Sequence, residues 1–152
     1  MRPARTASRT GSSPVTEQGG NEFSCTIEVR WADSDRLGHV NNTKFIEYMQ
    51  EARIKFFRSA TFEHLPVVVR KSDVEFLRPV KDESGPLTVT ITAVRLGTTS
   101  YTLRHTVVDV HGNVCGTGDV VLVGFDPATD TARALTADER RMLGQYLAVP
   151  VG

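Results

Sequence analysis

Apolar and polar residues alternate with a period of two from Phe23 to Trp31. The pattern predicts a half-buried strand, because successive side chains of a strand point to opposite faces. The apolar face consists of Phe23, Cys25, Ile27, Val29 and Trp31. If the extended chain continues, Asp33 and Asp35 lie on the same face, so the strand would direct two carboxylates toward its buried side. Gly38 would then end the extended segment.

A helical period follows, and Asn41 or Asn42 can cap its first turn with a side-chain oxygen. The apolar positions recur at i, i+4, i+7 and i+11 as Phe45, Met49, Ala52 and Phe56. This spacing predicts an amphipathic helix from about Asn42 to Ser59, with Glu51 and Lys55 paired on its polar side. An apolar stripe this wide must be buried against a broad apolar surface, and we expect that surface to be a β-sheet.

The rest of the chain is predicted to form strands joined by short turns. The expected strands are residues 67–80, 87–96, 100–110 and 114–125. Turn-forming connectors such as Gly97–Thr99 and His111–Asn113 favour hairpins, so the sheet should be antiparallel. Thr136 and Glu139 then form a capping box that opens a short amphipathic helix. The predicted fold class is α+β, with a long helix across a curved sheet.

Composition indicates one ordinary domain in the 152 residues, 39% of which are hydrophobic and 24% charged. Residues 1–22 are rich in Arg, Ser, Thr, Gly and Pro without apolar periodicity, so they are interpreted as a disordered tail before a domain at 23–148. A transit peptide is the alternative for this segment. The 18 basic and 18 acidic residues balance, which argues against a nucleic-acid partner.

Cys25 and Cys115 lie far apart and form no CxxC pair, so neither a disulfide framework nor a zinc site is predicted. A reducing cytoplasm is therefore the expected location. No run approaches the roughly 20 apolar residues that cross a bilayer, so no membrane insertion is expected.

Catalytic signatures such as GxSxG, HExxH and the phosphate-binding GxxxxGK loop do not occur. The segment from Arg30 to Asn42 remains, with two carboxylates and a histidine directly before the long helix. A helix start offers unpaired N–H groups and partial positive charge, which can hold the negative charge of an attacked carbonyl. This arrangement favours acyl-transfer chemistry.

The run Trp31–Asn42, read with the helix residues that follow it, resembles the hotdog-fold acyl-CoA thioesterases related to 4-hydroxybenzoyl-CoA thioesterase. Its Gly-His-Val-Asn-Asn ending matches one branch of that family, and the later matching positions are Phe45, Tyr48, Ala52 and Arg53. The resemblance covers about residues 23–147. It implies an acyl-CoA substrate, no cofactor or metal, and a homodimer or homotetramer whose subunits pair their sheets edge to edge around interfacial active sites.

Carried over residue by residue, the resemblance makes Asp35 the catalytic carboxylate and the backbone N–H of Asn42 the oxyanion donor. Asp35 would act as general base toward water or as nucleophile, and the sequence leaves both routes open. His39 matches a histidine of plant acyl-carrier-protein thioesterases, but Leu37 stands where that motif has Asn. His39 is therefore either a helper of Asp35 or a loop-packing residue.

Substrate contacts are expected from Asn41, Phe45, Thr99 and Ser100. Asn41 is also a helix cap, and Phe45 could equally belong to the core. Thr99 and Ser100 lie in a turn that resembles the one reaching the site from the partner subunit in relatives. An ordinary hairpin turn is the alternative.

Three other interpretations stay open at this stage. The chain could hydrolyse acyl-carrier-protein thioesters, or bind acyl-CoA without catalysis. A metal site at Asp33, Asp35 and His39 is a weak alternative, because loop carboxylates without a fuller ligand set rarely specify a metal. Asp33 is interpreted as a structural partner, and Glu47 and Glu51 as helix-surface residues.

Overall fold

A computed structural model describes residues 19–62 and 65–148. Its strands are β1 (Phe23–Ile27), β2 (Val67–Phe76), β3 (Leu87–Leu96), β4 (Ser100–Val108), β5 (Val114–Asp126) and β6 (Thr131–Ala132). Its helices are α1 (Asn42–Ser59) and α2 (Ala137–Gln145), with short 3-10 turns at Trp31–Asp33 and Asp82–Ser84. The helix α1 and the strand β3 have the predicted bounds.

The strands form one antiparallel sheet in the order β1-β3-β4-β5-β2, and β6 pairs with the end of β5. Helix α1 packs against β1 and β3, and α2 packs against β3. The apolar stripe of α1 is buried on the sheet through Phe45, Tyr48, Met49, Ala52 and Phe56. The predicted α+β architecture, a long helix on an antiparallel sheet, is confirmed.

The predicted first strand is too long, because β1 ends at Ile27 and the chain turns at Trp31–Asp33. Trp31 is 80% exposed and does not belong to a buried strand face. Asp33 N–H donates to Arg30 O over 2.9 Å, so the backbone closes a turn where extended chain was expected. The carboxylates of Asp33 and Asp35 are consequently positioned by this turn and the loop after it.

The predicted tail over residues 1–22 lies mostly outside the described residues. Near its end, Gly20 N–H donates to Leu147 O over 2.9 Å and Asn21 N–H donates to Gln145 O over 3.0 Å. Gly20 and Asn21 therefore contact the end of α2 and the residues that follow it.

Strand β2 lies at the edge of the sheet and ends at Phe76, earlier than the predicted Val80. Beyond it, the N–H groups of Leu77 and Arg78 both point to Cys115 O, at 2.8 and 3.1 Å, so regular pairing stops there. Within the described chain, β2 pairs only with β5. Its other edge presents unpaired N–H and C=O groups along ten residues.

A buried polar pair fastens α1 to the middle of the sheet. Arg53 and His105 are 8% and 0% exposed, with Arg53 Nη1 3.4 Å from His105 Nε2 and His105 Nδ1 2.9 Å from Gly118 O. A guanidinium only donates and a carbonyl only accepts, so the ring must be neutral with its proton on Nδ1. Burial lowers the pKa of His105 to about 4, and nearby Arg53 adds to the effect.

We expect Gly116→Ala to destabilise the fold, because an added Cβ would lie 2.6 Å from Glu75 O and 2.7 Å from Phe45 Cζ. Such overpacking typically costs about 1–3 kcal/mol, measurable by urea unfolding. Gly144→Ala is the matched control, since a Cβ there meets nothing within 4 Å and the position is helical. It should stabilise by about 0.5–1 kcal/mol. Equal effects at both positions would contradict the described packing.

The neutral His105 should make stability fall with acidity. The unfolded chain binds a proton near the ordinary histidine pKa, whereas the folded chain binds it only near pH 4. The free energy of unfolding should therefore drop by about 1–2 kcal/mol from this group between pH 7 and pH 5. His105→Gln, unfolded at both values, should show a correspondingly smaller drop. An unchanged pH dependence would contradict a buried neutral ring.

Candidate active site

Asp35 lies in a tight turn whose backbone orients its own carboxylate. Asp35 N–H donates to His39 O over 2.7 Å, and Gly38 N–H donates to Asp35 O over 3.0 Å. Gly38 has φ +77°, a left-handed conformation that glycine adopts without strain. Asp35 Oδ1 accepts from the N–H groups of Leu37 and His39, at 2.9 and 3.2 Å. No donor of the described chain lies on Oδ2, so this oxygen can meet a ligand or water.

Asp33 anchors the same loop to α1. Its Oδ2 accepts from Tyr48 Oη over 2.8 Å and from Arg30 Nε over 3.2 Å, and its backbone oxygen accepts from Asn41 N–H over 2.9 Å. The side chain is only 11% exposed. Burial raises the pKa of Tyr48 to about 12, so the hydroxyl keeps its proton and donates it to Asp33. These contacts support the interpretation of Asp33 as a structural partner.

Arg30 extends this anchor to the surface of α1. Its guanidinium lies 4.9 Å from the centre of the Tyr48 ring and 3.3 Å from Glu51 Oε2. The predicted pairing of Glu51 with Lys55 is therefore wrong, since Lys55 Nζ donates to Thr26 O over 2.9 Å. Glu51 and Lys55 therefore each contact the segment before α1, at Arg30 and Thr26, and do not pair with each other along the helix.

Asn41 caps α1, as predicted. Its Oδ1 accepts from Thr43 N–H over 2.9 Å and from Thr43 Oγ1 over 2.6 Å. Asn42 is the first helical residue, and within the described chain its N–H has no acceptor. It is thus one of the unpaired N–H groups at the positive end of the helix dipole.

A cleft of about 230 Å³ brings most of the predicted site together. Asp35, His39, Asn42 and Phe45 line one side, and the segment 76–80 lines the other. The rings of Phe45 and Phe76 lie 5.4 Å apart, and Val40 N–H donates to Val80 O over 2.7 Å, which ties the two sides. The cleft therefore joins a carboxylate and a helix start with apolar walls, as an apolar acyl group attached to a reactive carbonyl would require.

Thr99 and Ser100 lie at the other end of the sheet. Ser100 is opposite Val123 on β5, whereas the cleft residue Phe76 is opposite Gly116. At a rise of about 3.3 Å per residue, these positions are roughly 23 Å apart. Thr99 and Ser100 do not contact the cleft of their own chain, so a substrate contact there remains a prediction that requires a second subunit.

Two features of this site escaped sequence reasoning. The first is the role of Tyr48, which lies on the apolar stripe of α1, is fully buried and does not line the cleft. The hydroxyl on the apolar stripe was the available signal, since a buried tyrosine needs a hydrogen-bond partner and here finds Asp33. The wall at 76–80 had no such signal, because it depends on where β2 ends.

In residues 19–62 and 65–148, no three His, Cys, Asp or Glu side chains are grouped so that they could hold a metal. Asp33, Asp35 and His39 do not form such a group. No described helix has the length and apolar character needed to span a bilayer.

Comparisons with known proteins agree with this geometry. The chain is 27% identical over 121 residues to the uncharacterised protein YsmA of Bacillus subtilis, covering 77% of this chain and 82% of YsmA. A putative thioesterase of Pseudomonas aeruginosa, PA2801, is 30% identical with a TM-score of 0.72, covering 79% of this chain and 96% of that one. A Thermus thermophilus thioesterase, solved with coenzyme A and zinc, is 30% identical with a TM-score of 0.68, covering 80% and 95%.

A family model described as the thioesterase-like superfamily matches residues 29–142, three quarters of the chain. The match includes the Asp35 turn, all of α1 and the strands that form the cleft. The chain belongs to the thioesterase-like superfamily, and the protein is a hotdog-fold thioester hydrolase.

Proposed function

We propose that the protein hydrolyses acyl-CoA thioesters, with Asp35 as the catalytic carboxylate and the N–H of Asn42 as the oxyanion donor. The observation that carries the proposal is the cleft of about 230 Å³, which both residues line beside the apolar Phe45 and Phe76. The similar Thermus thermophilus thioesterase was solved with coenzyme A, which supports a CoA ester as the substrate.

In the general-base route, Asp35 takes a proton from water as the water oxygen attacks the thioester carbonyl. The carbonyl oxygen becomes an oxyanion, which the Asn42 N–H and the helix dipole stabilise, an effect of about 3–4 kcal/mol in comparable sites. The C–S bond then breaks, and the CoA thiolate leaves and receives the proton. In the nucleophilic route, Asp35 Oδ2 attacks the carbonyl, the C–S bond breaks, and the CoA thiolate leaves with a mixed anhydride remaining on Asp35. Water then hydrolyses the anhydride, which releases the free acid and restores the Asp35 carboxylate, and the proton given up by water goes to the thiolate.

His39 lines the cleft, and its backbone N–H supports the Asp35 carboxylate. That hydrogen bond comes from the main chain, so it survives substitution of the imidazole. The ring either helps Asp35 orient water or packs the loop. We favour the helper role because His39 lines the cleft beside Asp35 and is only partly exposed.

We further propose a homodimer formed through the open edge of β2, with a tetramer as the larger alternative. If two copies of β2 pair antiparallel along their full length, Val67 of each faces Phe76 of the other, and Arg70 faces Asp73. In this register Val67–Phe76 and Val69–Val74 are apolar pairs and Arg70–Asp73 is an oppositely charged pair, and pairs of both kinds stabilise adjacent strands. The two-fold relation also places the Thr99 and Ser100 end of one subunit toward the cleft end of the other.

Asp35→Asn should lower kcat on a panel of acyl-CoA thioesters by about 100-fold or more, because the amide can accept the turn hydrogen bonds but cannot act as base or nucleophile. Asp119→Asn is the matched control, since Asp119 pairs with Arg104 away from the cleft. It should retain full kcat. Unchanged hydrolysis by Asp35→Asn, with an unchanged melting temperature, would exclude the proposed mechanism.

Asp73→Arg should weaken the dimer by about tenfold or more, because each Asp73 would be replaced by a cation facing Arg70 of the other subunit. Sedimentation velocity over a concentration series measures the effect. Adding Arg70→Asp to the same chain reverses both charges and should restore the dimer. A wild-type monomer with full activity, or a double variant no better than the single one, would contradict this interface.

A further inference from the structure

A further cavity, which we call the distal cavity, lies at the end of α1 that points away from the candidate active site. Its volume is about 240 Å³, and it lies between Phe57 near the end of α1, Val67 at the start of β2, and Met142 on α2. It shares no lining residue with the candidate cleft. The helix rises roughly 18 Å from Phe45 to Phe57, so the distal cavity is separate from the cleft of its own chain.

Tyr101 directs an unpartnered hydroxyl group at this cavity. The residue is 2% exposed and lines the cavity. Within the described residues its Oη takes part in no hydrogen bond, and the only fully enclosed side-chain N or O atom without a partner there is Ser34 Oγ. Tyr101 Oη is therefore open to the cavity. Burial and, to a smaller extent, the nearby Glu139 carboxylate raise the pKa of Tyr101, so the hydroxyl keeps its proton and can donate it.

Glu139 adds an acceptor to the same cavity and is also 2% exposed. Its Oε1 accepts from Arg133 Nη1 over 2.8 Å and from Thr136 N–H over 2.7 Å, whereas Oε2 accepts from Arg133 Nη2 alone in the described chain, over 3.0 Å. An ionised carboxylate has about four acceptor positions, so Oε2 can accept another hydrogen bond. No hydrogen bond joins Glu139 to Tyr101. The free donor and the free acceptor can therefore be joined by a bridging group.

These two residues select the chemistry of a ligand. A hydroxyl group is the simplest group that accepts from Tyr101 and donates to Glu139 at the same time. Arg133 forms an ion pair with Glu139 over 2.8 Å, so the carboxylate is already balanced and the cavity suits an uncharged molecule. The walls formed by Phe57, Val67 and Met142 are apolar. A ligand that matches both parts has one hydroxyl group on an apolar body.

The volume of the cavity sets the size of that body. A protein cavity of about 150 Å³ is enough to hold benzene, so about 240 Å³ admits a single ring with a small substituent. A water molecule can also bridge Tyr101 and Glu139, but it leaves the apolar walls without contacts. A ligand whose hydroxyl group replaces that water keeps both hydrogen bonds and buries its ring as well.

We propose that the distal cavity is a second binding site, which takes a small uncharged molecule with one hydroxyl group on an apolar ring, with phenol as the simplest example. The hydroxyl group accepts a hydrogen bond from Tyr101 Oη and donates one to Glu139 Oε2, while the ring packs between α1, β2 and α2. The site goes beyond the proposed hydrolysis, and its occupation does not depend on that function.

Methionine methyl groups report where such a ligand binds. Met142 lines the distal cavity, whereas Met49 is fully buried against Gly118 of β5 and does not line it. Addition of phenol to protein with ¹³C-labelled methionine methyl groups should shift the Met142 signal in a saturable way and leave the Met49 signal in place. A Met142 signal that stays unchanged up to the solubility limit of phenol would overturn the proposal.

Tyr101→Phe removes the donor and keeps the ring of the residue. Toluene is the matched ligand, because a methyl group replaces the hydroxyl group of phenol. The ratio of the phenol dissociation constant to the toluene dissociation constant, both from the Met142 signal, should rise about tenfold in Tyr101→Phe. Leu77→Ala, which shortens a wall of the candidate cleft, is the control and should leave the ratio unchanged. An equal ratio in the wild type and in Tyr101→Phe would overturn the proposal.

Thermal stability gives a test that needs no ligand. Because the Tyr101 hydroxyl group has no partner in the described chain, Tyr101→Phe should not lower the melting temperature. Tyr48→Phe is the matched comparison, since the Tyr48 hydroxyl group donates to Asp33 over 2.8 Å, and it should lower the melting temperature by about 3 °C. An equal decrease in both variants would show that the Tyr101 hydroxyl group already serves the fold, which would overturn the proposal.

Discussion

The hydrogen bonds of Asp33 are the constraint on which the candidate site depends. One carboxylate oxygen accepts from Tyr48 on α1 and from Arg30 at the end of the preceding segment, and the backbone oxygen accepts from Asn41 at the helix cap. The loop therefore has one position relative to the helix start. Because Asp33 fixes this position, Asp35 and the Asn42 N–H line the same cleft. The hydrogen bonds of the Asp35 carboxylate stay within its own turn and do not reach α1. Asp33 thus holds the loop, while the proposed mechanism gives the chemistry to Asp35.

Much of the fold could be predicted because its signals are local. The apolar spacing of α1 and the Asn41 cap predicted the helix bounds, and the turn residues on either side of β3 predicted that strand. Asp35, His39, Asn42 and Phe45 are close in sequence and reach one cleft, so a motif could place them together. The capping box of α2 is equally local and is present.

The rest depends on contacts that no local pattern encodes. The alternation through Trp31 looked like continued strand, but the hydrogen bonds of Asp33 favour a turn and leave the indole in solvent. The cleft wall at 76–80 exists because β2 stops pairing at Phe76. Thr99 and Ser100 lie at the opposite end of the sheet, so the substrate contact proposed for them would need a second chain, which one chain's periodicity cannot reveal.

The open edge of β2 also bears on how the protein avoids unwanted association. A ten-residue edge that no described strand pairs with could template growth with any extended segment that is exposed during synthesis or stress. Charged residues interrupt this edge at Arg70, Lys71, Asp73 and Glu75. An uncharged apolar segment would bury those charges without partners, whereas an inverted copy of β2 offers opposite charge to Arg70. The charges along the open edge of β2 thus disfavour pairing with extended segments of other proteins.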